Sequence, residues 1–245
     1  MLALLPAFSN AAFINFYSIT PNGTVGRMAT TYNFGTITAT AGVVTGTAKA
    51  LTIANFSYPQ PDELGIGVCG AADVGSLCSL APPQQQLNLS SSLWDGNITE
   101  IDNLGDTELL TLTVNAGSQM TGQFLLGSLD ANGTGDYEDG YVIVGSNTVR
   151  FARTASGAAV TSGSGTIVQA GPSYGPNVFL LTLTGFNPAT TQVVFRAGGT
   201  TSSGTNNDYL VAAADVVSTQ VVPIPAALWL FGSALGLLGF GRRAK

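Results

Sequence analysis

The chain has 245 residues, of which 45% are apolar and only 9% charged, with a formal net charge of −6. That apolar fraction argues against a disordered chain, and the complete lack of histidine removes Ser-His-Asp and Cys-His catalysis, imidazole metal ligation and histidine pH switching. Setting aside the three cations of the last four residues leaves five bases against 14 acids, a body of −9, and residues 50 to 149 hold 12 acids and no base. Such a field repels phosphate backbones, so nucleic acid is not expected as a partner, whereas divalent cations are suited to it.

In chain order, Met1 to Ala12 reads as the end of a secretory signal: a short apolar core, then small residues where Ser9-x-Ala11 would serve a signal peptidase. The basic n-region is missing, so the true start is expected upstream or the leader already trimmed. Phe13 to Thr20 has the length and apolarity of a first strand, and Pro21-Asn22-Gly23 marks a turn. Three Thr-rich segments follow, Val25 to Phe34, Thr36 to Val44 and Thr47 to Phe56, punctuated by Gly35, Gly42 and Gly46. Thr36-Ile37-Thr38-Ala39-Thr40 alternates at period 2, the pattern of a half-buried strand.

From Tyr58 to Gly105 the prolines, the glutamine tract and a glycine-rich loop between Cys69 and Cys78 predict irregular structure, with Leu64 to Cys69 a short apolar exception. In an oxidising compartment Cys69 and Cys78 are placed to close a local disulfide; in a reducing one they would stay as thiols. Glu108 to Val114 returns to alternation. Further strands are expected at 119–129, 141–144, 148–153, 166–170, 178–183, 192–197 and 208–217, separated by turns at Asn132-Gly133, Gly145-Ser146, Gly171-Pro172, Asn187-Pro188 and Gly198-Gly199. Residues 155–165 read as a linker able to separate a pair of lobes, although one domain is the simpler reading. With no amphipathic helical window, the prediction is an all-β fold, a single jelly-roll-like β-sandwich over residues 13–220.

The C-terminal stretch is of another kind. Val222-Pro223-Ile224-Pro225 is stiffened by two prolines, and Ile224 to Gly241 is then free of charge. As a helix that run would cover roughly 27 Å, the thin end of a hydrocarbon core. Arg242, Arg243 and Lys245 would hold the end on the cytoplasmic side, with the body outside.

The Pro-x-Pro motif, Ala226-Ala227-Leu228-Trp229-Leu230-Phe231-Gly232-Ser233, the Gly/Leu repeat and the Arg242-Arg243 cluster together resemble the PEP-CTERM sorting domain over residues 222–245. Ile224 stands where the family name has Glu. The resemblance implies a protein of a Gram-negative bacterium that is exported across the inner membrane and transiently anchored in it. It further implies cutting near Pro223-Ile224-Pro225 by an exosortase, then a place at the cell surface or in the exopolysaccharide or biofilm matrix. A weaker resemblance covers the body: Gly65-Ile66-Gly67-Val68-Cys69, Glu100-Ile101-Asp102-Asn103 and Glu108-Leu109-Leu110-Thr111-Leu112 are similar in order and spacing to β-sandwich domains of such proteins.

Two acidic clusters invite a cation. Asp130, Asn132, Thr134, Asp136 and Glu138, with Gly135 between, resemble the first nine positions of an EF-hand calcium loop, although Tyr141 stands where the twelfth-position Glu belongs. The alternative is a solvated acidic hairpin turn. Glu100, Asp102, Asn103, Asp106 and Glu108, with Asp62 or Glu63, form the second cluster. Trp94 is a candidate sugar platform or a buried anchor. The leading expectation is thus a non-enzymatic exported surface protein. The competing one is a calcium-dependent carbohydrate-binding module built on Trp94 and the acidic loops.

Overall fold

A computed structural model of the chain describes residues 11–19, 24–44, 48, 50–55, 64–69, 101, 107–132, 136–199 and 209–219. Their regular structure is β-strand apart from one 3-10 turn, in two antiparallel sheets that face each other as a β-sandwich. One sheet holds β1 (Ala11–Asn15), β2 (Thr24–Arg27), β5 (Ala50–Asn55), β6 (Leu64–Cys69), β8 (Ser118–Gly127), β14 (Gly165–Gln169), β15 (Phe179–Leu183) and β17 (Leu210–Ser218). The other holds β3 (Thr31–Asn33), β4 (Ile37–Val43), β7 (Glu108–Val114), β11 (Asp139–Val144), β12 (Asn147–Thr154), β13 (Gly157–Ser162) and β16 (Gln192–Ala197). A small hairpin, β9 (Ala131–Asn132) with β10 (Asp136–Tyr137), lies outside both.

In the second sheet, the alternation seen in the sequence becomes two faces. Ile37, Ala39, Leu110, Leu112, Val142, Val193 and Phe195 point inward and are buried, while the threonines between them line the outer face. In the first sheet β17 is central and buried along most of its length, which suits its unbroken apolar run Leu210-Val211-Ala212-Ala213-Ala214. The sheets meet through aromatic pairs: Phe124 of β8 lies 5.1 Å from Phe195 of β16, edge to face, and Phe151 of β12 lies 5.1 Å from Tyr209 in the same geometry. Outside the first sheet a smaller cluster forms where Val178 and Tyr174 cover Leu125, Ala213 and Leu180.

Several expectations shift by tertiary pairing. Residues 155–165 are not a linker: they form β13 and its turns, and β13 pairs with β12 from Gly157 to Ser162. Its sequence, mostly the small residues Gly, Ala and Ser, carries too little apolar contrast to show as a strand, yet its partner β12 supplies the ladder. The first strand is Ala11–Asn15, two residues inside the stretch read as a signal remnant, and Phe16–Ile19 then turn as a 3-10 helix. That turn buries Phe16 completely, 4.8 Å from Phe34. The segment 25–34 splits into β2 and β3, which belong to different sheets. Among the described residues no helix is long and apolar enough to cross a membrane; the C-terminal stretch lies outside them.

Candidate functional site

At one end of the sandwich three connections converge: the β11–β12 turn at Gly145-Ser146, the β13–β14 turn at Gly163-Ser164 and the longer β15–β16 loop, residues 184–191. Between them lies an open groove of about 720 Å³. Local chemistry accounts for each wall. Gly145 has φ +58° and opens a two-residue turn between Val144 and Asn147, as the right-handed twist of a hairpin favours. Gly163, at φ +83°, lets its turn rest directly on Thr148 and Val149, where a Cβ would lie 2.6 Å from the Thr148 carbonyl oxygen. The β15–β16 loop is seated by Phe186, whose ring fills the space above Gly122, at φ +85° inside β8. Asn187 stiffens the same loop, its Oδ1 accepting from the Ala189 amide at 3.0 Å.

The lining is polar and uncharged. Ser146, Asn147, Thr148, Thr190, Thr191 and Gln192 contribute hydroxyls and amides, Val144, Leu183 and Phe186 contribute apolar atoms, and among the described residues no Asp, Glu, Lys or Arg takes part. None of those six polar side chains hydrogen-bonds to another described residue. A neighbouring turn differs: there Thr38 Oγ1 donates to Asn115 Oδ1 at 2.9 Å, and Asn115 Nδ2 donates to Asn33 Oδ1 at 3.1 Å and to the Gly35 carbonyl at 2.6 Å. β17 runs toward the groove end, where Thr219 donates its amide to the Gly117 carbonyl at 2.8 Å, and β1 enters there with Ala11 beside Val217.

A second surface feature is a row across three strands. Register places Arg150, Tyr141 and Arg196 side by side, and the two guanidinium carbons lie 5.5 and 4.5 Å from the Tyr141 ring centre. Arg150 Nε also donates to Asp139 Oδ2 at 2.6 Å, and its Nη2 completes an ion pair with the same oxygen. The hydrogen bond to Asp139, more than its charge, raises the Arg150 pKa further above its ordinary range. Gly198 makes room for this pair, since a Cβ there would overlap the Asp139 carboxylate.

The residues singled out in the sequence fall in different places. Cys69 ends β6, is fully buried and is disulfide-bonded; Cys78, the only other cysteine in the chain, lies outside the described residues. Trp94, Thr134, Pro223, Ile224, Pro225, Arg242 and Arg243 also lie outside them. In the acidic loop, Asn132 pairs with Asp136 across the small hairpin. Glu138 is buried, and its carboxylate accepts the Asp130 amide. Asp139, next in sequence, is taken by Arg150. Of the second acidic cluster, Glu108 is fully buried on the inward face of β7, while Glu100 and residues 102–106 lie outside the described residues. Among the described residues no three acids or cysteines come together as a metal-ligand group.

The groove could not be read from the sequence, because its residues come from three separated stretches. The only signals there were turn signals, Gly145-Ser146 and Asn187-Pro188, which mark loops without saying that they meet. In comparisons with known proteins, no family model, no curated protein and no solved structure matches the chain.

Proposed function

We propose that this is an exported, non-enzymatic β-sandwich protein of the cell surface or extracellular matrix, processed by an exosortase and associated with exopolysaccharide or biofilm. The single structural observation that carries it is disulfide-bonded Cys69, because structural disulfides persist in oxidising compartments outside the cytoplasm. The resemblance of residues 222–245 to a sorting signal supplies the route, with the uncharged run as a membrane helix and Arg242 and Arg243 inside. The jelly-roll-like description belongs to the same proposal, supported by the chain's repeated crossing from one sheet to the other.

Two features support a binding rather than a catalytic role. The chain lacks histidine, and the groove is lined by no group able to act as general acid or base. The calcium reading keeps Asp130, Asn132, Thr134 and Asp136 as ligands, but one Glu138 carboxylate oxygen already accepts the Asp130 amide, which weighs against it.

Mass spectrometry of the cell-associated and released protein tests the route. The expected outcome is a C-terminus near Pro225; mature protein that everywhere retains Arg242 and Arg243 rejects it.

A further inference from the structure

We infer that the groove formed by the β11–β12, β13–β14 and β15–β16 connections binds a segment of uncharged glycan. The inference rests on the matrix reading only for where such a ligand is met; its geometry is independent.

Charge comes first. The body carries a large acidic excess, yet no charged side chain among the described residues lines this groove, so neither a polyanion nor a cation finds a counter-charge in them. A ligand must be held by hydrogen bonds and apolar contact. The lining hydroxyls and amides each donate and accept, as sugar hydroxyls do. Among the described residues those side chains have no hydrogen-bond partner, in contrast to Thr38, Asn33 and Asn115 nearby, which satisfy one another.

Their backbone is held in place, since Asn147 and Gln192 sit at the first positions of β12 and β16. Gly163 and Gly122 meanwhile fix the adjoining turn and loop against β12 and β8. With the backbone fixed, binding has only the side-chain rotamers left to order. Val144 and Phe186, both half-buried, offer apolar surface for the C–H face of a sugar ring. The volume falls within the range of small-ligand clefts, about 300–1,000 Å³.

Calorimetry on the full chain in a sugar-free detergent tests this, with neutral gluco-, xylo-, manno- and galacto-hexasaccharides, the matching monosaccharides and hexagalacturonate. At least one neutral hexasaccharide should bind, and about tenfold or more tighter than its monosaccharide. Replacing both Asn147→Ala and Gln192→Ala, two exposed side chains that bond to no described residue, should weaken binding about tenfold or more with thermal melting unchanged. Ala189→Trp, which fills the groove, should abolish it. No binding to any neutral hexasaccharide, equal affinity for monosaccharides, or a preference for hexagalacturonate would overturn the inference. So would undiminished binding by the folded double variant. A failure here leaves the surface-protein reading intact, since that reading depends on the mass of the processed tail.

Discussion

At the scale of single residues, the sandwich depends on glycines where an aromatic ring or carboxylate needs the space. A Cβ on Gly140 would lie 2.5 Å from Tyr209 and 2.6 Å from Phe151, the edge-to-face pair that joins the second sheet to the approach of β17. Gly140→Ala should therefore cost about 1–3 kcal/mol in a denaturant melt, as overpacking does. Tyr209 is fully buried, and its hydroxyl donates to the Arg196 carbonyl at 3.1 Å. Burial pushes its pKa well above the ordinary tyrosine value of 10.0, and the half-buried Tyr17 is raised in the same direction. The folded state then holds protons that the unfolded chain releases. The stabilisation is complete below about pH 10 and is lost as pH rises beyond it. Melts from pH 8 to 11 should show stability falling at the alkaline end, and Tyr209→Phe should flatten that fall; an unchanged slope would place the titration elsewhere.

At the scale of elements, edges and turns carry the information that periodicity lacks. β13 is made of Gly157-Ala158-Ala159-Val160-Thr161-Ser162, small residues with little contrast between faces, and only its pairing to β12 identifies it. The alternating strands β4, β7 and β16 were legible because inward Ile, Leu, Val and Phe alternate with Thr and other outward residues. Gly122 interrupts β8 at φ +85° for a reason invisible in its own strand, namely Phe186 more than 60 positions later. Gly122→Ala should displace Phe186, lower the melting temperature and weaken any ligand held in the groove. At the end of β6, reducing the Cys69 disulfide should cost about 2–4 kcal/mol, read as a lower melting temperature in the presence of reductant.

At the scale of the whole molecule, ends and faces matter most. The groove, the entry of β1 and the exit of β17 share one end of the sandwich, while Cys69 and the small acidic hairpin lie at the other. Thr219, the last described residue after β17, therefore lies at the groove end. Calcium titration of the full chain bears on the far end. With the Asp130 amide on Glu138 and Arg150 on Asp139, millimolar calcium should leave the melting temperature unchanged; a clear rise would restore the cation reading.

The sequence by itself determined the β class, the absence of histidine chemistry, the acidic body, most strand positions and the distinct C-terminal stretch. Each is a matter of composition or of periodicity along one segment, and such local patterns survive in one dimension. Tertiary structure alone decided that residues 157–162 are a strand, that Asp139 belongs to Arg150, that Glu108 turns inward, and that turns from distant stretches enclose a groove with no charged residue among the described ones. Those outcomes depend on which strand lies beside which, and pairing is set by the sandwich's long-range register and packing.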